Sequence, residues 1–533
     1  MKHSNAAGSG ERPEAETFSH WFHTWRYLFW FLGLVTLSIL FYAEEDWRGE
    51  RAWRIYKERM TAQGECFEAS AFIPPRLPDE ENFAMAPALS PLFGFVAGTP
   101  GWVNSMQPFA CYDAASKWVK SKPLPTNNSW IREPADLALW AAAFAAGTNH
   151  IERESLLATN FSSHDAAISV LQALTQYAAF FEELRTASRR PHARFNIHYE
   201  EDNPEVILLP HLAQIKRYCQ ILQLRCSAEL ALGRTEEALN DLLLMLYLAD
   251  TSRGEPFTIS HLVRMAELQL ALQPLAEGIG KWSEPQLRAL QQHLQEFDFC
   301  ADIKRTLQAE RTLLGTGVIE WVRRSPNKMK LLDELPRTLD VGSGPELWPI
   351  GALTAAAPEG WLYLEERNHC RALDQYLLPL IDVTNRLIRP DSVRKAETAL
   401  NHLGGSTPLS RLLHHQFFAS ILLPLVSGAA QKTAFAQTAV DFATLACALE
   451  RYRLAHGQFP DSLQKLSPDL MPTLPHDIIN GNPLKYRLDP NGHYVLYSVG
   501  WNEKDDGGYS LSKSAETYQK EGDWVWSGNS QSR

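Results

Sequence analysis

Leu212-Ala213-Gln214-Ile215-Lys216-Arg217-Tyr218-Cys219-Gln220-Ile221-Leu222-Gln223-Leu224-Arg225-Cys226-Ser227-Ala228-Glu229-Leu230 is the stretch that decides the fold class. Leu212, Ile215, Cys219, Leu222, Cys226 and Leu230 follow one another at three- and four-residue steps. Those steps put all six on one face of a helix, a stripe that must be buried against a neighbour. Ala231-Leu232-Gly233-Arg234-Thr235-Glu236-Glu237-Ala238-Leu239 then reads as helix, glycine turn, helix. Ser283-Glu284-Pro285-Gln286 is a capping box, and Leu287, Leu290, Leu294 and Phe297 repeat the helical step after it. The pattern holds from about Pro134 to Leu425, so residues 133–428 are expected to form an all-α bundle or a short solenoid.

Toward the C-terminus the helical reading continues and then changes. His414 to Gly428 contains Phe417-Phe418-Ala419-Ser420-Ile421-Leu422-Leu423-Pro424-Leu425. This run is too short to cross a bilayer and reads as a core helix ended or kinked near Pro424. A long helix follows from about Ala430 to His456, with Gly457 as its stop. Val440, Phe442, Leu445, Leu449 and Tyr452 give it an apolar side. Asp461 is an N-cap candidate for a short helix through Leu466. Tyr486-Arg487-Leu488 and Tyr494-Val495-Leu496-Tyr497-Ser498 alternate as strands do, joined through the turn Asp489-Pro490-Asn491-Gly492. Trp524-Val525-Trp526 is a candidate last strand. Residues 429–533 therefore read as a small α+β module, a long helix plus an antiparallel sheet.

Toward the N-terminus the chemistry turns to lipid. Tyr27 to Ala43 carries no charged residue over seventeen positions, about 26 Å of helix, near the lower limit for a span. Trp21, Trp25 and Trp30 lie on one side and Trp47 on the other, as interfacial anchors do. Signal-peptide cleavage after Ala43 needs a small residue where Phe41 stands. The fold class expected is mainly α, with an N-terminal transmembrane helix over residues 21–47. Residues 1–20 are polar and expected to be disordered. Residues 48–132 hold a helix leaving the membrane and then a Pro-rich extended segment, opening Phe72-Ile73-Pro74-Pro75, which packs across the next domain.

The chain has 533 residues, more than one core holds, and 45% hydrophobic with 21% charged residues is the composition of a folded protein. A net charge of -11 argues against nucleic acid as a partner. None of the seven cysteines forms a CxxC pair, so zinc-ribbon and thioredoxin-like readings lack support. Cys219, Cys226 and Cys447 read as buried thiols. Cys66 and Cys111 are left open as a disulfide, should that part be extracytoplasmic.

Three resemblances add to this. The Gly233 hairpin resembles one tetratricopeptide unit, although the 34-residue period does not clearly recur, so the helical body is described as TPR-like at most. Phe72-Ile73-Pro74-Pro75, Pro78-Asp79-Glu80-Glu81-Asn82-Phe83-Ala84, Ala193-Arg194-Phe195, His198-Tyr199 and Leu230-Ala231-Leu232-Gly233-Arg234 together resemble a family of uncharacterised membrane-anchored bacterial proteins. The order from Ala448 through Gly481-Asn482-Pro483-Leu484-Lys485-Tyr486 to Asp505-Asp506-Gly507-Gly508 resembles the globular domain of type II secretion major pseudopilins. That likeness implies calcium in the loop Gly500–Gly508, with carboxylates from Asp505, Asp506 and Asp523 and an amide oxygen from Asn502. A solvated acidic turn accounts for the same residues. The chain departs from pseudopilins in two ways: Gly33 sits inside the apolar run with Ser38 five residues on, and nearly 400 residues separate the span from the module. A fibre subunit is therefore not expected.

Orientation is contested. Arg48, Arg51, Arg54, Lys57 and Arg59 follow the span and outnumber Lys2, Arg12 and Arg26 before it, which favours a cytoplasmic bulk. The pseudopilin likeness implies the opposite, and the expectation adopted is a single-pass protein of the bacterial inner membrane with a periplasmic bulk. No HExxH, GxSxG or GxxxxGK[ST] motif occurs. His414-His415, adjacent on a helix, point to different sides. Arg189 to Asp202, with His192 and His198, is the densest polar cluster and reads as a charged connector or as a catalytic pocket. Two functions follow: a non-enzymatic envelope scaffold or binding protein that contacts the lipid bilayer and protein partners, or a membrane-tethered hydrolase or other enzyme using His192 and His198.

Overall fold

The computed structural model describes residues 14–93, 109–120, 135–148, 162–199, 207–328, 348–509 and 520–527. Its first element, α1 (Glu14–Ala62), is a single 49-residue helix, about 74 Å long. Residues 1–13 lie outside the described residues, and α1 begins within the polar stretch expected to be disordered through residue 20. From Trp25 to Glu44 the helix is exposed on every side. A soluble core helix buries such a run, so the apolar segment is accounted for by lipid. The polar half of α1 packs on the body.

The helices of the body follow in chain order: α2 (Ala110–Lys120), α3 (Leu137–Thr148), α4 (Ser163–Leu174), α5 (Ala178–Ala187), α6 (Pro210–Ala231), α7 (Thr235–Asp250) and α8 (Thr258–Glu277). Then come α9 (Glu284–Leu294), α10 (Phe299–Glu310), α11 (Gly317–Arg324), α12 (Trp348–Ala356), α13 (Glu359–Ala372), α14 (Pro390–Asn401), α15 (Pro408–Leu413), α16 (Phe417–Ser427) and α17 (Ala429–His456). The stripe on α6 is buried as its spacing predicts: Leu212, Ile215, Cys219, Leu222, Cys226 and Leu230 all face inward. Gly233 takes the left-handed φ of +73° that lets α7 fold back on α6. At α9 the Gln286 side chain accepts from the Ser283 N–H at 2.9 Å, closing the capping box, and Leu287, Leu290 and Leu294 are buried beneath it.

The described part of the Pro-rich segment packs across the body, and it is not extended throughout: α2 (Ala110–Lys120) is a regular helix within it, while 94–108 and 121–132 lie outside the described residues. Phe83, Ala84, Ala86 and Leu89 are buried. Asn82 bonds the backbone of Arg194 through both its amide atoms at 2.8 Å, and Arg190 and Arg194 donate to carbonyls of Asn82 and Pro74. The described part of the dense polar cluster, residues 189–199, thus bonds two chain segments together through Arg190 and Arg194; Glu200 to Asp202 lie outside the described residues.

The C-terminal part has the long helix and the small sheet expected of it. Gly457, at φ +77°, ends α17. Strands β3 (Lys485–Leu488), β4 (Tyr494–Ser498) and β5 (Trp524–Ser527) form an antiparallel sheet in that order; a two-residue pair, β1 (Ile381–Asp382) and β2 (Leu387–Ile388), lies earlier in the chain. Leu496 is paired with both Tyr486 and Trp526. Tyr494, Leu496, Trp524 and Trp526 are buried, and Trp524 meets Phe435 of α17 edge-on at 5.1 Å. α17 is buried around most of its length from Ala429 to Arg451 and packs on α8, α9 and α10 as well as on the sheet. One contiguous hydrophobic core runs from Phe83 to Trp526 across the junction near residue 428. A smaller cluster of Val318, Ile319, Val322, Leu362, Phe418 and Ile421 sits beside it and makes α16 a core helix, with Pro424 inside and the helix ending three residues later. Glu365, buried, accepts the Phe417 and Phe418 N–H groups at 3.0 and 3.1 Å and so caps α16. Cys66 and Cys111 are free thiols, and Cys219, Cys226 and Cys447 are buried ones.

Candidate functional site

A densely bonded polar site lies at the junction where the membrane helix enters the body. α1 and α13 cross where two glycines meet. A Cβ on Gly49 falls 2.0 Å from the Gly360 carbonyl oxygen, and one on Gly360 falls 2.0 Å from that of Glu45. No other residue type allows that approach. Asp46 accepts the Gly360 N–H at 2.8 Å, Glu45 accepts the Trp361 indole N–H at 3.0 Å, and the Tyr42 hydroxyl donates to the Ala356 carbonyl.

Further from the membrane a buried clasp locks the same helix. Arg311 has no exposed surface. It donates to Asp374 at 2.6 Å, to Glu65 at 2.8 Å and to the Cys66 carbonyl at 3.2 Å, and lies 4.4 Å over the Phe67 ring. Tyr56 of α1 donates to the other oxygen of Asp374. Burial pushes the Tyr56 hydroxyl well above its usual range, so it stays a donor. Arg311 opens a π-helical turn, Arg311–Thr316, and Asp374 lies in another, Leu373–Leu377. Such wide turns recur at functional positions. His369 fills the space above Gly315, where a Cβ would stand 2.1 Å from its Nε2. Burial holds the His369 imidazole down to about 4, so it is neutral in the fold.

The polar cluster is split by the structure. His192 lines a cleft of about 270 Å³ with Tyr247, Asp250, His293, Glu296 and Phe297. His198 does not line it, and both histidines are exposed. Asp250 is held by Arg264, which also bonds Asp302 at 2.6 Å and lies over the Phe297 and Phe299 rings. Burial raises the Asp250 carboxyl, and Arg264 opposes it. A joint role for His192 and His198 in one pocket is therefore not supported by their placement. His414 is exposed and bonded to Ser410, while His415 is half-buried against Trp361; they face apart, but past the end of α15 and not on a helix as the sequence suggests.

The acidic loop brings Asn502, Asp506 and Asp523 together and turns Asp505 aside. Asp523, buried, accepts the Asp506 N–H at 3.2 Å and the Gly508 N–H at 2.7 Å. Asn502 donates its amide to Asp506 at 2.9 Å. Asp505 accepts the Gly507 N–H at 3.0 Å and pairs with Lys485 at 3.4 Å. These oxygens face N–H donors, whereas calcium needs six to eight oxygens around one point. Among the described residues no group of three or more His, Cys, Asp or Glu is arranged to hold a metal ion. Asn502 and Asp506 are bonded to each other, and calcium binding requires them to part.

The sequence gives no sign of the clasp: Glu65 and Asp374 lie 246 and 63 positions from Arg311. Comparison with known protein families, with curated proteins and with solved structures found no match.

Proposed function

We propose that this chain is a single-pass scaffold or binding protein of the bacterial envelope, one of the membrane-anchored family its sequence resembles, acting without catalysis in a secretion-type assembly. Its body is periplasmic in this proposal. The supporting observation is the junction: α1 leaves the apolar run without a break and is locked to the body at Gly49–Gly360 and at Arg311. A body held rigidly to its span presents its surface at a fixed height above the bilayer, which suits recruitment of a neighbour. The test is photo-crosslinking in intact membranes followed by purification of the full chain. The same envelope protein recovered in repeated preparations supports scaffolding; the chain recovered alone each time overturns it. A reporter active only outside the cytoplasm, fused after Arg533, tests orientation; an inactive fusion puts the body in the cytoplasm.

A second reading is favoured by the cleft, which gathers His192, Tyr247, Asp250, His293 and Glu296 at one opening. It makes the protein a membrane-tethered hydrolase with His192 as the base. Ester and peptide substrates screened against the full chain in detergent test it. Turnover lost in His192→Ala supports it, and equal turnover in that variant removes it.

A further inference from the structure

We propose that the body makes a second, peripheral contact with the same bilayer, through the apolar face of α12 and α15 beside the end of the span; this rests on α1 being the span. The height of these helices is fixed by bonds already described. Tyr42, next to the last residue of the apolar run, donates to the carbonyl of Ala356, the last residue of α12. Gly360 and Trp361, at the start of α13, are tied to Asp46 and Glu45, about one turn further along α1. The far end of α13 leads to Asp374 beside Tyr56, so α13 climbs away from the membrane in the direction of α1. The chain therefore enters α13 from the lipid side, and α12 lies at the level where the span ends.

The end of α15 is tied to α13 between Trp361 and Asn368, which lies about two turns further along α13. The Asn368 amide donates to the carbonyls of His414 and His415, just past the end of α15, at 3.3 and 2.7 Å. The His415 ring stands edge-on to Trp361 at 5.0 Å. α12 packs on α15. On this pair Leu353, Leu409 and Leu413 are 47%, 48% and 56% exposed. α12, Trp348-Pro349-Ile350-Gly351-Ala352-Leu353-Thr354-Ala355-Ala356, contains no charge. A single exposed leucine is ordinary. Three on packed helices beside the end of the span, two of them at i and i+4 on α15, are what an interfacial element presents to lipid. Trp47, 59% exposed on α1 just beyond the span, is placed where indoles favour the headgroup layer. The occupant is the headgroup and upper acyl region of the bilayer that α1 crosses, because the face continues directly from the lipid-facing end of that helix.

The experiment uses the full chain in liposomes, with Cys66→Ser and Cys111→Ser to remove the partly exposed thiols. Single cysteines replace Leu353 or Leu413 and carry a bimane. Leu34→Cys in the span and Asn491→Cys in the β3–β4 turn are controls. Nitroxide lipids labelled near the headgroup are expected to quench the probes at 353 and 413 at least twofold, with little quenching by aqueous iodide. The probe at 491 should show the reverse. Probes at 353 and 413 that behave like the one at 491, with the probe at 34 quenched by deep labels, overturn the seat and leave the span intact. A probe at 34 that lipid labels do not quench overturns the span itself. Probes at 353 and 413 shielded from both quenchers mean that protein covers the face, which also overturns the proposal. Both positions are exposed and tested separately, so one misfolded variant leaves the other to decide.

Discussion

Replacing Arg311 with methionine tests the clasp directly. Arg311→Met leaves Asp374 and Glu65, now 2.6 and 2.8 Å from the guanidinium, without their counter-charge. Removing one partner of a buried ion pair costs about 3–5 kcal/mol. The two carboxylates keep 15% and 22% of their side-chain surface, which favours the lower end of that range, about 3 kcal/mol. Loss of the contact with the Phe67 ring adds roughly 0.5–1 kcal/mol. A tenfold change is about 1.4 kcal/mol, so local opening of α1 from the body should become several hundred-fold easier. Hydrogen exchange of peptides spanning 50–68, in the full chain in detergent, reads that opening. Peptides from α6 and α17, which contribute no residue to the clasp, serve as references. The triple variant Arg311→Met, Glu65→Gln, Asp374→Asn carries no buried charge there and should recover most of the protection. Protection in Arg311→Met within threefold of the parent, or a triple variant no better than the single one, refutes the assignment of the clasp as the lock between span and body.

Gly360→Leu should separate α1 from α13, because its Cβ would already stand 2.0 Å from the Glu45 carbonyl; a fall in Tm with faster exchange over 45–60 is expected, whereas Gly33→Leu, with nothing within 4 Å, should leave both unchanged. Burial pushes Glu229, Glu365 and Glu366 to about 8 and Glu310 to about 7, above their unfolded values. Stabilisation from such groups is complete below about 4.5 and is lost as pH rises through the folded value, at up to ~1.4 kcal/mol per pH unit each. His261 and His369, held down to about 3 and about 4, cost stability only as pH falls below about 6.5. Tm should therefore fall between pH 6.5 and 8.5, and a rise across that window contradicts the burial of these carboxyls. Calcium at 1 mM should leave Tm unchanged, because Asp523 and Asp506 already accept N–H groups; a rise of several degrees shows that the loop rearranges to take the ion.

The sequence by itself determined the local structure. The stripe on α6, the Gly233 turn, the Ser283 capping box, the Gly457 stop, the β3–β4 hairpin and the charge-free run before Glu44 each rest on neighbours a few positions apart, where period and turn chemistry are legible. The tertiary structure decided everything that joins distant positions. It sank α17 among α8, α9 and α10, because an apolar face specifies burial without naming what covers it. It drew Arg311 to Glu65 and Asp374, placed His192 in a cleft without His198, and set Asp506 and Asp523 against N–H donors, one of them the Asn502 amide. A charge in a sequence shows only that it needs a partner when buried; which partner it finds depends on how the helices cross, and at this junction two glycines allow that crossing.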